Sequence, residues 1–210
     1  MPLLRLAQTA ALRLPMTGMA SAVDLGDSVG MNNNPGHPRF KQPVARRLVL
    51  EAMRVIYNRT GAVTRGPQLL SAAEIRHPDW FTEDYRSNYL GNRRYRLLFG
   101  SVGRSLDVRI PFSDNFQAVL GPPIARSAVG GAWNRTLLQA TVVLGSVSSN
   151  SLEIDVNCMA SGVNGTRHVT QLAGLFGERP LCSVFNRDGL PMEPFLYDLP
   201  PKRETEEHAL

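Results

Sequence analysis

Lysine is nearly absent from these 210 residues: of 23 basic side chains only Lys41 and Lys202 are not arginine. Cysteine is as scarce. Cys158 and Cys182 show no Cys-x-x-Cys spacing, which argues against a zinc ribbon, a thioredoxin-type redox motif or a disulfide scaffold. Long apolar runs are also missing. Arg126 interrupts residues 118–132, and residues 137–147 fall well short of the roughly 18 apolar residues that a membrane-crossing helix needs. His-Glu-x-x-His, Gly-x-x-x-x-Gly-Lys-Ser/Thr and Gly-x-Gly-x-x-Gly do not occur, which removes the common sequence signatures of zinc proteases and nucleotide-binding folds. No acidic cluster has metal-loop spacing, so no metal and no cofactor is expected.

Apolar residues make up 43% of the chain and charged residues 20%, enough hydrophobic material for a core and too little charge for a disordered segment. The charge is unevenly placed. Residues 39–109 hold 14 basic and 6 acidic side chains, whereas residues 110–210 hold 7 basic and 10 acidic. Arginine presents a planar fork suited to phosphate or carboxylate, so this bias points to an RNA or protein interface in the middle of the chain.

Residues 1–23 carry Arg5 and Arg13 and no acid, with Leu3, Leu6, Ala7, Ala10, Ala11 and Leu14 at helical spacing. An acid-free, arginine-bearing amphipathic segment has the form of a transit peptide, and the expected address is the mitochondrion, matrix side, with the plastid second. Residues 24–43 read as a linker because Met31–Pro38 is made of turn-formers. Residues 44–189 then form a single domain, and residues 190–210 a Pro-rich, charged tail.

The clearest helix spans 44–58. Pro43 opens it, and Ala45, Leu48, Val49, Ala52, Met53 and Ile56 form an apolar stripe expected to face the core. Arg47, Glu51, Arg54 and Asn58 form the opposite stripe, expected to be wet, and Gly61 is placed to stop the helix. Ser71–Glu74 has the Ser-x-x-Glu form of a capping box and predicts a short helix, as does Thr82. Between Trp80 and Arg104, aromatic and guanidinium groups interleave, a mixture that can stack bases and neutralise phosphates together. The expected nucleic-acid or partner-binding residues are Arg86, Tyr89, Arg93, Arg94, Tyr95, Arg96 and Arg104. Gly100–Gly103 reads as a hairpin turn between strands at 95–99 and 105–110.

Beyond residue 136 the pattern changes to strands. Leu152, Ile154, Val156 and Cys158 alternate with Glu153, Asp155 and Asn157, placing one face in the core and the other in water. Ser148–Asn150 turns the chain between this run and the one beginning at Leu138. Asn164-Gly165 predicts a tight hairpin pairing 151–159 with 168–176. Six to seven strands after one main amphipathic helix give an α+β class with an antiparallel sheet or small barrel, with extended N- and C-terminal segments.

Catalytic candidates are few. His37 lies in the linker and His208 in the tail, leaving His77 and His168 as candidate general bases and a Cys158–His168 pair as an imaginable thiolate nucleophile. Since the alternation turns Cys158 inward, no catalytic residue is assigned. The leading expectation is a non-catalytic subunit of a large organellar assembly, contacting RNA and neighbouring subunits through the Arg/aromatic region, most concretely a mitochondrial ribosomal protein. The alternatives are a peripheral soluble subunit of a respiratory or ATP-synthase complex and a small-molecule enzyme on an antiparallel barrel.

Overall fold

Alternation along the strands builds the core. In the strand Asn92–Gly100, Tyr95, Leu97 and Phe99 are at most 1% exposed, while Arg96 and Leu98 between them are exposed. In Ser151–Asn157, Leu152, Ile154 and Val156 are fully buried and Glu153 and Asp155 point outward. Each such large apolar side chain adds about 1.5–3 kcal/mol on leaving water.

The computed structural model describes residues 2–26, 38–75, 92–109, 116–120, 137–143, 145–157, 169–175 and 182–200. In chain order these contain α1 (Pro2–Thr9), a 3-10 turn (Ala10–Arg13), α2 (Gln42–Val55), β1 (Gln68–Ile75), β2 (Asn92–Gly100), β3 (Leu106–Val108), β4 (Phe116–Leu120), β5 (Leu137–Val142), β6 (Ser151–Asn157), β7 (Val169–Gly174), β8 (Val184–Asn186) and β9 (Phe195–Asp198). Seven strands form one antiparallel sheet in the order β1-β2-β6-β5-β4-β7-β9, and β3 pairs with β8 in a small second sheet. The sheet curls so that β1 and β9 approach each other, giving the expected α+β architecture as a nearly closed barrel.

The barrel interior holds Tyr95, Leu97 and Phe99 of β2, Phe116 and Ala118 of β4, Ala140 and Val142 of β5, the β6 triplet, Leu172 of β7, and Val184 and Met192. On the other face of the sheet, α1 lays Leu3 and Leu6 over Val119, Ala173 and Leu196. Gly174 stands in register with both Phe116 and Phe195, and a Cβ there would come within 2.2 Å of the Phe195 ring. The missing side chain lets that ring lie in the core.

Four expectations are corrected. Ser71–Glu74 lies within β1, paired residue for residue with β2, because cross-strand packing outweighs a capping pattern of modest energy. Gly100–Gly103 does not close a hairpin between β2 and β3, since β2 pairs with β1 and β6 while β3 pairs with β8. Nor does β6 pair with β7: β6 lies between β2 and β5, and β7 between β4 and β9. The Asn164-Gly165 turn itself lies outside the described residues, as does the helix expected at Thr82. The start of the expected tail contributes β9. The Ser148–Asn150 turn does join a paired hairpin, β5 with β6.

The fourth correction concerns α2. Its position along the chain agrees with the sequence pattern, but it is rolled over. Arg47 and Glu51 are 8% and 2% exposed, while Leu48, Val49 and Ile56 are 50%, 59% and 61% exposed. The inward polar side chains are satisfied by partners far along the chain, which no periodicity can register. The helix ends at Val55, short of the expected 58, and the chain leaves it through Asn58, whose φ of 51° is left-handed, with the Arg59 amide donating to the Met53 carbonyl at 3.0 Å.

Candidate functional site

The underside of α2 and the rim of the barrel enclose a cleft of about 700 Å³. Leu14, Met16 and Thr17 come to it from the N-terminal segment, Arg54 and Val55 from α2, Thr64 and Arg65 from the following loop, Gln68 from β1, and Ser101 from the turn after β2. Two buried carboxylates support its polar wall. Glu51 accepts from the Thr64 hydroxyl at 2.6 Å and from Arg54 Nη2 at 2.7 Å. Gly18 lets the N-terminal segment cross this carboxylate, because a Cβ there would stand 2.8 Å from Glu51 Oε2. The hydrogen bond to Glu51 raises the affinity of Arg54 for its proton, so this guanidinium stays charged at the cleft wall.

Glu193 faces Arg65 from the other side. Arg65 Nε donates to its Oε1 at 2.7 Å, a second guanidinium nitrogen meets Oε2, and the Gln68 amide lies against the same pair. Burial pushes the Glu193 carboxyl above its ordinary range, opposed by Arg65 and Gln68. Beneath them Asn186 is fully buried and joins three loops. Its Nδ2 donates to the carbonyls of Arg65 (3.1 Å) and Ser101 (3.3 Å), and its Oδ1 accepts from the amides of Asp188 (3.1 Å) and Leu190 (2.9 Å). Gly66 permits the closest approach, since a Cβ there would fall 1.7 Å from the Pro191 carbonyl oxygen. The cleft is therefore a preorganised polar surface with an apolar margin of Leu14, Met16 and Val55.

The expected binding residues lie elsewhere. On β2, Arg93 pairs with Glu74 at 2.7 Å, Arg94 forks onto Asp155 at 2.7 and 2.8 Å, and Arg96 reaches Glu153 at 2.8 Å. Cross-strand register brings these charges opposite one another, Arg94 with Asp155 and Arg96 with Glu153. Tyr95 is 1% exposed and belongs to the core. Arg104 is exposed on the turn before β3. Arg86 and Tyr89 lie outside the described residues.

Conventional hydrolytic groups are not assembled among the described residues. His37, His77, His168, His208 and Cys158 all lie outside them. Cys182 is described, but burial pushes its thiol up to about 12 and its sulfur donates to the Val184 carbonyl, so it is not a nucleophile near neutral pH. Among the described residues no three His, Cys, Asp or Glu side chains are grouped to hold a metal. The sequence offered no sign of the cleft: its residues are spread from position 12 to position 101, and Glu193 and Asn186 act from behind it.

No family model and no curated protein sequence matches the chain. Among solved structures it is similar to a carbohydrate acetylesterase from Xanthomonas citri, with a TM-score of 0.58 and 25% identity over 93% of this chain. The match takes in 35% of that enzyme, so the chain spans about a third of the length of the structure it resembles. This likeness overturns the expected non-catalytic, RNA-contacting subunit and favours the alternative of a small-molecule enzyme on an antiparallel barrel. The expectation that the chain does not serve an enzyme is corrected with it.

Proposed function

We propose that this chain serves in the hydrolysis of acetyl esters on carbohydrates. The observation that carries the reading is the structural likeness to a carbohydrate acetylesterase across 93% of the chain. The reaction adds water at the ester carbonyl, releasing acetate and returning the sugar hydroxyl. In this reading the cleft beneath α2 receives the sugar. Hydroxyl-bearing rings need donors and acceptors fixed at close spacing, and Thr17, Thr64, Gln68 and Ser101 provide both kinds. Leu14, Met16 and Val55 suit the apolar C–H face of a pyranose. Because Glu51 and Glu193 neutralise Arg54 and Arg65, the wall suits neutral sugars better than strongly anionic ones.

The test is acetate release from per-O-acetylated glucose and acetylated xylan by the purified full-length protein, with Gln68→Ala and Ser101→Ala beside it. The reading expects release, with KM raised several-fold in both variants and little change in kcat. Single alanine substitutions at His37, His77, His168 and His208 would then locate any histidine base. Absence of acetate release from both substrates would overturn the proposal.

A further inference from the structure

Strands β1 and β2 run antiparallel, so the start of one lies beside the end of the other, and their pairing runs out at Gln68 opposite Gly100. Just beyond that pair the two chains border the cleft, with Arg65 ahead of Gln68 and Ser101 directly after Gly100. The side chain of Asn186 ties them together there. It is fully buried, and its Nδ2 donates to the Arg65 carbonyl at 3.1 Å and the Ser101 carbonyl at 3.3 Å. Its Oδ1 accepts from the amides of Asp188 and Leu190 at 3.1 and 2.9 Å. Two carbonyls can face only the amino end of the amide and two backbone amides only its oxygen, so the group has one orientation. Asp188 also abuts the turn that follows Ser101, where a Cβ on Gly103 would stand 2.6 Å from its Oδ2. Ser101 itself has a φ of 55°, in the left-handed region that favours glycine. A residue with a side chain persists there only where its surroundings over-determine it, and such positions cluster at binding sites. Here the Asn186 bond supplies the constraint, and the result is a hydroxyl-bearing residue on the cleft wall.

We propose that Asn186 is the positioning residue of the cleft, fixing Ser101 against Gln68 at the spacing that reads two neighbouring hydroxyls of a neutral sugar. This rests on the function proposed above. A sugar hydroxyl both donates and accepts, and so do the Ser101 hydroxyl and the Gln68 amide, which makes the two a matched set for a diol. Strand pairing fixes Gln68 on one side, and the Asn186 bond fixes Ser101 on the other. Buried as it is, Asn186 does not touch the sugar and acts only through the backbone of the residues that do. Displacing a recognition group by about 1 Å is enough to weaken a site of this kind, so a backbone tie outside the contact set governs affinity.

The experiment compares a monoacetylated methyl xyloside that keeps two adjacent free hydroxyls with a deoxy counterpart that keeps one. KM and kcat for acetate release are measured on the full-length chain, and the Kd of the two unacetylated xylosides is measured by NMR titration, which needs no turnover. The wild type should favour the diol several-fold in KM and Kd, with kcat alike for both. Ser101→Gly should lose this preference yet melt at the same or a higher temperature, because glycine relieves the left-handed backbone. Asn186→Asp keeps the oxygen that faces Asp188 and Leu190 but sets a second oxygen against the two carbonyls, so it should lose the preference and melt lower. Asn186→Ser, which keeps one donor, serves if the aspartate variant does not fold. In the Ser101→Gly background either change at Asn186 should still lower the melting temperature but cost no further preference, since a residue acting through Ser101 has nothing left to position. A folded Asn186 variant that retains the diol preference would overturn the proposal, as would losses that add in full in the double variant. Acetate release without a diol preference would overturn it and leave the function standing. A diol preference in Kd without acetate release would overturn the esterase reading and leave Asn186 to be judged by Kd. A wild type that neither binds nor hydrolyses would overturn both.

Discussion

Arg47 of α2 meets Asp24 through a bidentate pair, Nη1 to Oδ1 at 2.6 Å and Nη2 to Oδ2 at 2.7 Å, with both side chains about nine-tenths buried. The pair joins the helix to the segment before it and fixes which face of α2 looks inward. Removing one partner leaves an uncompensated buried charge. Arg47→Met is expected to cost about 3–5 kcal/mol, and Asp24→Asn a loss in the same direction. Replacing both by leucine should recover much of the loss. Urea denaturation of the three variants checks this, and equal losses in the double and single replacements would contradict it.

Val156 and Asp155 are neighbours with opposite surroundings. Val156 is fully buried, and Asp155 pairs with Arg94 on the outer face of the barrel. Val156→Asp should cost several kcal/mol and leave the chain insoluble or unfolded. Asp155→Ala should cost no more than about 1 kcal/mol, the scale of a partly exposed ion pair. Thermal melts of the two variants decide it.

Glu193 gives the stability a distinctive pH dependence. Its carboxyl titrates above the ordinary glutamate range in the folded chain because burial outweighs the pull of Arg65. Between the unfolded and folded values the native state holds more protons, so this group's contribution falls as pH rises through that window and is fully present below it. The melting temperature of the wild type, relative to Glu193→Gln, should therefore rise as pH is lowered from 7 towards 4. A difference that shrinks on acidification would show that the Arg65 ion pair dominates instead.

Asn186 ties three loops together behind the cleft with four hydrogen bonds. Asn186→Leu keeps the volume but strands the carbonyls of Arg65 and Ser101 and the amides of Asp188 and Leu190. At about 1–3 kcal/mol for a buried polar group left unpaired, this should be among the most destabilising single changes in the chain. Amide hydrogen exchange around Arg65 and Leu190 should quicken together.

Much of the barrel is legible in the sequence, and the reason is local. β5 and β6 announce themselves by alternation because one face of each is buried and the other wet, and the turn between them is short. β1 is hidden, because Ser71–Glu74 satisfies a helix-start pattern while its strand identity depends on pairing with β2 across a long connection. The amphipathic character of α1 is also legible, whereas the surface that receives Leu3 and Leu6 is assembled from β4, β7 and β9. For α2 the rule that apolar stripes face inward fails, since Asp24 and Thr64 supply partners that make the polar face the buried one. The arginines at 93, 94 and 96 looked free to bind a partner because their nearest acids in sequence are not the ones they pair with. Glu153 and Asp155 come from β6, brought alongside by the sheet. The cleft is invisible for the same reason: it belongs to no single segment.

The most direct test of the whole account is the release of acetate from acetylated xylan by the purified native protein, followed by proton NMR, with the deacetylated polymer as the blank. The account predicts a growing acetate signal together with loss of the ester methyl resonances, slowed at limiting substrate by Gln68→Ala. A folded, native preparation that leaves the ester methyl signals unchanged would contradict it.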